Sequence, residues 1–337
     1  MRGAVARLSP GAFASALLGV LLAAVLLGLL VGGSGLAAGD AFAALAGRGG
    51  ADARAIVWEL RAPRVALGLL VGGALGVSGA VLQALVRNPL ADPYLLGLSG
   101  GSSLGAVIAI ALGVGSIWAM PAAAFLGALL TIMVVYRLAV VAGGGLDGRV
   151  LLLAGVVVGA FAGALTSGIL AVSESAQVRS AMLWLLGGLG GVGWPGVAAL
   201  AAYSVIPLAL LAREARALDL LSLGEEPARH LGADVARTRR RVYLAASMLT
   251  AAAVASAGII GFVGLAIPHL IRMVRGQGHR GMLPAAFLLG GAFLVAADAG
   301  ARTLFAPLEL PVGVITAVVG VPLFAVLLRR GASAGAP

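Results

Sequence analysis

Apolar runs of about 20 residues, parted by short segments rich in arginine, proline and glycine, recur along the whole chain. They fall at roughly 13–33, 65–86, 94–114, 119–136, 150–171, 193–212, 242–260, 262–271, 282–297 and 311–328. About 20 apolar residues in a helix cross the hydrocarbon core of a bilayer. The pattern therefore predicts an all-α polytopic membrane protein with about ten transmembrane helices. The eighth run is short, and residues 254–271 read as two apolar pieces broken at glycines and at Pro268. The first run follows Arg2 and Arg7, as a secretory signal would. It exceeds the usual apolar region of about 7–15 residues, so it reads as an anchor.

The longest charged segment, Arg213 to Arg241, lies between the sixth and seventh runs. Within a single transmembrane domain covering 1–337, it falls at the middle of two five-helix halves. An odd number of spans inverts the second copy of such a repeat, and Gly76 to Pro89 compares with Gly261 to Pro268. Inside the segment, Leu220, Leu221 and Leu223 lead to Gly224, and Glu225 to Leu231 lead to Gly232. Glycine suits helix ends, so two short helices forming a docking surface are expected at about 213–241; the alternative is a solvated loop.

Charge chooses a side. With both termini in the cytoplasm, the inner segments carry 17 arginines and the outer ones the remaining 6 of the 23 basic residues, in keeping with the positive-inside bias. Trp58, Trp118, Trp184 and Trp194 then all fall near outer ends, where indoles favour the interface. Four of the six outer arginines lie in one segment, 34–64. They serve a partner, or a long outer loop tolerates them.

Composition narrows the chemistry. Of 337 residues, 61% are hydrophobic and 11% charged, against about a quarter charged in soluble domains; membrane lipid must cover this surface. All 23 basic residues are arginine. Without lysine there is no Walker A phosphate grip and no lysine Schiff base. Without cysteine there are no disulfides and no thiolate metal sites, and the redox compartment stays open. The arginines sit at the ends of apolar runs instead of forming a soluble basic face, which argues against nucleic acid. Gly97 to Gly105 looks like a phosphate loop, but it follows an apolar helix, so close helix packing or a pathway lined by small residues is the better account. His230, His269 and His279 form no ligand set by spacing. Asp298 and Glu174 lie near span ends, and no mid-membrane carboxylate is evident, which weighs against a cation-coupled secondary transporter. No catalytic constellation stands out, and no resident cofactor or metal is expected. Uphill movement of a substrate would draw its energy from a partner.

Several stretches, in order, carry a resemblance: Arg61-Ala62-Pro63-Arg64, Gly79-Ala80-Val81-Leu82-Gln83, Arg87-Asn88-Pro89-Leu90-Ala91-Asp92-Pro93, Leu98-Ser99-Gly100-Gly101, Ser222-Leu223-Gly224-Glu225-Glu226, Gly261-Phe262-Val263-Gly264-Leu265 with Pro268-His269, and Glu309-Leu310-Pro311-Val312-Gly313. Together they resemble the permease subunits of bacterial ABC importers for vitamin B12, ferric siderophores and haem. The resemblance covers about residues 60–320. It implies the type II importer permease fold in the bacterial cytoplasmic (inner) membrane. A homodimer would sit on two ATP-binding cassette subunits, and a periplasmic or lipid-anchored binding protein would deliver a metal chelate. Within that range haem and siderophores are favoured over vitamin B12. By the same resemblance Arg61, Arg64 and Arg302 match positions that dock the binding protein, and Asn88 and Leu90 match a cytoplasmic constriction. Ser222, Leu223, Gly224, Glu225, Glu226, Arg229 and Gly232 match the ATPase-coupling helices, while Ser99, Gly100 and Gly101 stand on the pathway or in its packing.

Overall fold

The computed structural model describes residues 9–33, 35–114, 116–142, 147–276 and 278–334. Arg2 and Arg7 lie outside them, as do the side chains of Arg275, Arg329 and Arg330. The described residues form helices joined by short turns: α1 (Pro10–Leu30), α2 (Ala38–Leu45), α3 (Ala51–Ala55), a π-helical turn (Ile56–Arg61), α4 (Ala62–Leu85), a 3-10 turn (Pro93–Leu96), α5 (Leu98–Ala111), α6 (Ala119–Val141), α7 (Gly148–Ala171), α8 (Ser175–Leu185), α9 (Trp194–Arg213), α10 (Ala215–Ser222), α11 (Glu225–His230), α12 (Val235–Ala257), α13 (Val263–Arg275), α14 (His279–Thr303) and α15 (Val312–Ala334). Each of the ten apolar runs has its helix: α1, α4, α5, α6, α7, α9, α12, α13, α14 and α15 in turn.

Six helical stretches among the described residues are long and apolar enough to cross a membrane: Pro10–Leu30, Ala51–Leu85, Ala119–Val141, Gly148–Ala171, Trp194–Arg213 and His279–Thr303. The protein is thus a multi-pass membrane protein. Helices α5 and α13 have 14 and 13 residues, or about 20 Å at 1.5 Å per residue, which is short of a full crossing. Helix α12 reaches 23 residues, but its first turns hold Arg237, Arg239, Arg240 and Arg241, so only its later part is apolar.

Helix α4 is the hub. It packs on α14, α12 and α13, and 83% of its apolar stretch is buried. Lipid supplies no hydrophobic drive between helices, so close backbone approach between small residues must hold them. Gly72 of α4 lies against Gly290 of α14, where a Cβ on either would overlap the other's carbonyl oxygen. One turn on, a Cβ at Gly76 would stand 2.5 Å from the Ala286 carbonyl oxygen. A single apolar core runs through both halves of the chain, from Phe13 and Leu17 of α1 to Val312 of α15.

Two expectations are corrected. The expected break in 254–271 occurs at a glycine but not at Pro268, because α13 runs through the proline. The interruption falls at residues 258–262, where Gly258 and Phe262 take positive φ of 70° and 69°; Tyr94 holds this bend by donating to the Ile260 carbonyl at 3.0 Å and accepting from the Ile260 amide at 3.1 Å. The segment 34–64 is not a long loop either. Its described residues are mostly helical, with Ala41, Ala44 and Val57 forming a small core of their own.

Candidate functional site

The four tryptophans gather at one end of the bundle. The Trp194 indole N–H donates to the Trp58 carbonyl at 3.0 Å, Trp118 and residues 191–193 line one cavity, and Trp184 packs beside Met120 and Phe125. At the same end, three arginines and two carboxylates form an ionic assembly. Arg64, at the start of α4, pairs with Asp298 at 2.9 Å and Glu309 at 2.8 Å. Arg302 pairs with Asp298 at 3.0 Å, one turn away on α14. Arg61 and Arg302 also cap α1, whose last carbonyls no helical amide can reach. Arg61 Nη1 donates to the Leu29 and Leu30 carbonyls at 2.9 Å each, and Arg302 Nη2 donates to the Gly28 carbonyl at 3.0 Å.

The structure therefore places Arg61 and Arg302 beneath the surface, each 3% exposed, with their guanidiniums committed inside the protein. Only Arg64 and the half-exposed Glu309 reach the rim. A cavity of about 380 Å³ opens above them, and buried Arg61 and Arg302 are part of its lining together with Gly32, Glu59, Arg64 and Glu309. Sequence reasoning singled out the three arginines but missed the acids that hold them. Asp298 stood four residues before Arg302, an available signal; that Glu309 folds back onto Arg64 could not be read from spacing.

The opposite end carries the charged platform. Helices α10 and α11 form there, and Gly224 and Gly232 follow them with positive φ of 120° and 84°. Two ion pairs and a histidine–carboxylate contact fasten this platform to the bundle. Glu214 pairs with Arg241 at 3.0 Å and Glu225 with Arg239 at 2.6 Å, both reaching α12. Asp219 meets His279 Nδ1 at 2.6 Å and also accepts from the His279 amide at 2.8 Å, which ties α10 to the start of α14. Glu225 pairs with Arg229 as well, at 3.3 Å. Ser222 caps its own turn through the Asp219 carbonyl, Leu223 is exposed, and no ion pair forms to Glu226 among the described residues.

Gly224 has φ 120° and ψ 163°, a region open essentially to glycine alone. Gly224→Ala is expected to cost about 1–3 kcal/mol and to loosen the join between α10 and α11. Amide exchange at 219–231 should accelerate while α4 exchange stays unchanged; equal exchange throughout would refute the strain.

At the same end, α4 closes in a turn. Arg87 takes φ 51°, and Asn88 Oδ1 accepts from the Leu90 amide at 2.9 Å, leaving Leu90 exposed. Gln83, buried just above, donates to the Ala91 and Gly264 carbonyls at 3.2 and 3.3 Å and accepts from Arg272. This polar knot joins the turn to α13, and sequence reasoning gave Gln83 no role. Nearby in the chain, Gly100 lies against Gly159 of α7, and a Cβ on Gly101 would overlap Thr131 of α6. Ser99 accepts from Ser103 at 2.7 Å through its carbonyl. These small residues let α5 lie close to its neighbours.

Comparison with known proteins adds to this geometry. The FecCD transport family matches residues 20–330. The cobalamin import permease of Halobacterium salinarum is 47% identical over 82% of this chain and 74% of its own length. The hemin transport permease of Yersinia pestis is 40% identical over 83% and 85%, and the vitamin B12 import permease of Citrobacter koseri is 40% identical over 92% of each. A solved structure described as an inward-facing conformation of a metal-chelate type ABC transporter superposes with a TM-score of 0.85 at 29% identity, covering 96% of this chain and all of that one.

Proposed function

This chain belongs to the FecCD transport family, and from that membership we propose that it is the membrane permease of an ATP-driven importer for cobalamin-type metal chelates. The observation that carries the reading is the pairing of an ionic cavity at one end with an ion-paired helical platform at the other, joined by one buried helix, in a chain of this family. The preference for iron chelates that the resemblance implied is revised, since relatives named for cobalamin or vitamin B12 stand at 47% and 40% identity. Haem remains the second reading, on the strength of the 40% identical hemin permease.

In this reading two copies enclose the pathway and ATPase subunits seat on α10 and α11. The arginine-rich end faces the cytoplasm, as do both termini. Closure of the ATPase pair pushes the platform, and the two ion pairs to α12 with the Asp219–His279 contact to α14 pass that displacement to the helices around α4. The turn at Asn88 and Leu90 would open or close the exit. Each ligand shifts the permease only as far as its affinities for the two states differ. Vesicles holding the permease, its ATPase and a binding protein should accumulate cobalamin only with ATP on the platform side. Uptake driven by a cation gradient without ATP would overturn the proposal. Gly224→Ala and Glu225→Gln should lower uptake per ATP hydrolysed by uncoupling the platform; unchanged stoichiometry would count against coupling there.

Docking of the binding protein is proposed at the outer cavity. Its charges are nearly balanced, so an acidic donor side chain enters by replacing Glu309 on Arg64. Rim charges act mainly on association rate and salt dependence. Glu309→Gln should tighten capture about two- to fivefold at low salt, and Arg64→Gln should weaken it about tenfold. Equal affinities across wild type and both variants, measured by titration, would remove Arg64 from the interface.

A further inference from the structure

Beside the platform lies a cleft of about 480 Å³ between the end of α6, α11 and the first turns of α12. Four arginines line it, Arg229, Arg237, Arg239 and Arg240, against two acids, Glu225 and Asp234. That is an excess of two positive charges. Arg239 is 7% exposed. Its Nη2 is held by Glu225 at 2.6 Å, but its Nε is buried without a hydrogen-bond partner. A buried donor without an acceptor is costly, and a small turn of the Arg239 side chain toward an acceptor in the cleft would lower that cost. Arg240 is exposed and forms no ion pair among the described residues. Two guanidiniums, one buried and one at the mouth, thus have donors to spare. Planar guanidinium forks suit phosphate oxygens.

The remaining wall identifies the source of the phosphate. Tyr136 and Val140 of α6 line the cleft. The outward face of that helix is exposed at Met133, Val134, Leu138, Val140 and Val141, with Arg137 the one charged residue exposed among them, and α6 is one of the six helices able to cross the membrane. A phosphate at Arg239 would therefore sit where α6 leaves the bilayer, with acyl chains running along these residues. A soluble anion makes no use of that face. We propose that the cleft binds the phosphate headgroup of an anionic phospholipid from the leaflet on the arginine-rich side. The headgroup shares Arg239 with Glu225, so it touches α11 and sits beside the coupling platform. The site does not depend on the transported cargo.

Native mass spectrometry of the delipidated full-length protein tests the site, with phosphatidylglycerol, phosphatidylcholine of the same chains, and inorganic phosphate as probes. Phosphatidylglycerol should bind at least about fivefold tighter than phosphatidylcholine. Arg240→Gln should remove about fivefold of that affinity, given the usual contribution of one basic residue at a membrane surface. Arg239→Lys, which keeps the charge but loses Nε, should reduce it similarly. Both variants should leave phosphatidylcholine binding unchanged, which separates loss of the site from loss of the fold. Equal binding of the two lipids, or full phosphatidylglycerol affinity in Arg240→Gln, would overturn the proposal. So would displacement of phosphatidylglycerol by millimolar inorganic phosphate, which would make the ligand a free anion. Loss of the lipid when ATPase subunits are added would assign the cleft to that partner instead, and would equally overturn it.

Discussion

Replacing Asp298 with alanine is expected to destabilise the protein by about 3–5 kcal/mol, the usual cost of removing one partner from a buried ion pair. Asp298 is 3% exposed and sits between Arg64 and Arg302, whose side chains are 14% and 4% exposed. Arg64 would keep Glu309. Arg302 would keep only neutral carbonyl partners, Asp298 and Gly28. Its charge would stay buried without a directly paired anion, and its hold on the end of α1 would slacken. Helix α1 is otherwise thinly attached, with 22% of its apolar window buried, so detachment of that helix should be the first sign. Thermal unfolding in detergent measures the loss, and protease access near Gly32 reports the detachment. Glu309→Gln is the control. That residue is half exposed, and exposed pairs contribute about 1 kcal/mol or less. If Asp298→Ala melts like Glu309→Gln, the buried assembly does not hold α1.

The second large effect is expected at the helix crossings of α4. A Cβ on Gly79 would overlap the Gly264 backbone of α13, and one on Gly72 the Gly290 carbonyl of α14. Backbone cannot rotate aside as a side chain can, so the helices must separate. Overpacking typically costs about 1–3 kcal/mol and sometimes more, and Gly72→Ala and Gly79→Ala should reach the upper end. Gly79→Ala should also disturb the Gln83 knot, because Gln83 bonds the same Gly264 carbonyl one turn further on. Gly163→Ala in α7 is the contrast, since a Cβ there meets nothing within 4 Å. It should be neutral, or stabilising by about 0.5–1 kcal/mol through helix propensity. Unfolding midpoints of the three variants decide the matter. Equal midpoints would mean that these crossings tolerate separation.

Several features were open to sequence reasoning because their causes are local. Apolar runs long enough for a bilayer can satisfy their backbone only as helices, so all ten runs became helices. Gly224 and Gly232 stood where two short helices had to stop, and both stop there. Tryptophan placement was legible in part: Trp118 and Trp194 stand at the starts of α6 and α9, while Trp58 and Trp184 lie between runs, in the π-helical turn and in α8. Pro268 misled. A proline inside a membrane helix is tolerated when neighbours satisfy the freed carbonyl, so only the glycine half of that expectation held: the break falls at Gly258, at the backbone shape that glycine permits. The order of haem and cobalamin rested on no residue, because none had been tied to the cargo, and relatives named for cobalamin or vitamin B12 weigh at least as heavily as the hemin permease.

Side-chain pairing across distant parts of the chain lay beyond any periodicity. Arg61, Arg64 and Arg302 stood out as outer arginines, and nothing local showed that two of them face inward. Arg64 and Asp298 are 234 residues apart, and Asp219 meets His279 across 60. The unpartnered Nε of Arg239 likewise depends on which neighbours α11 and α6 bring to it. Runs of composition dictate which segments enter the membrane, because the cost of burying charge is paid residue by residue. Which charges are then hidden, paired or left open to a ligand depends on where ten helices cross. That is decided only when glycines hundreds of residues apart meet backbone to backbone.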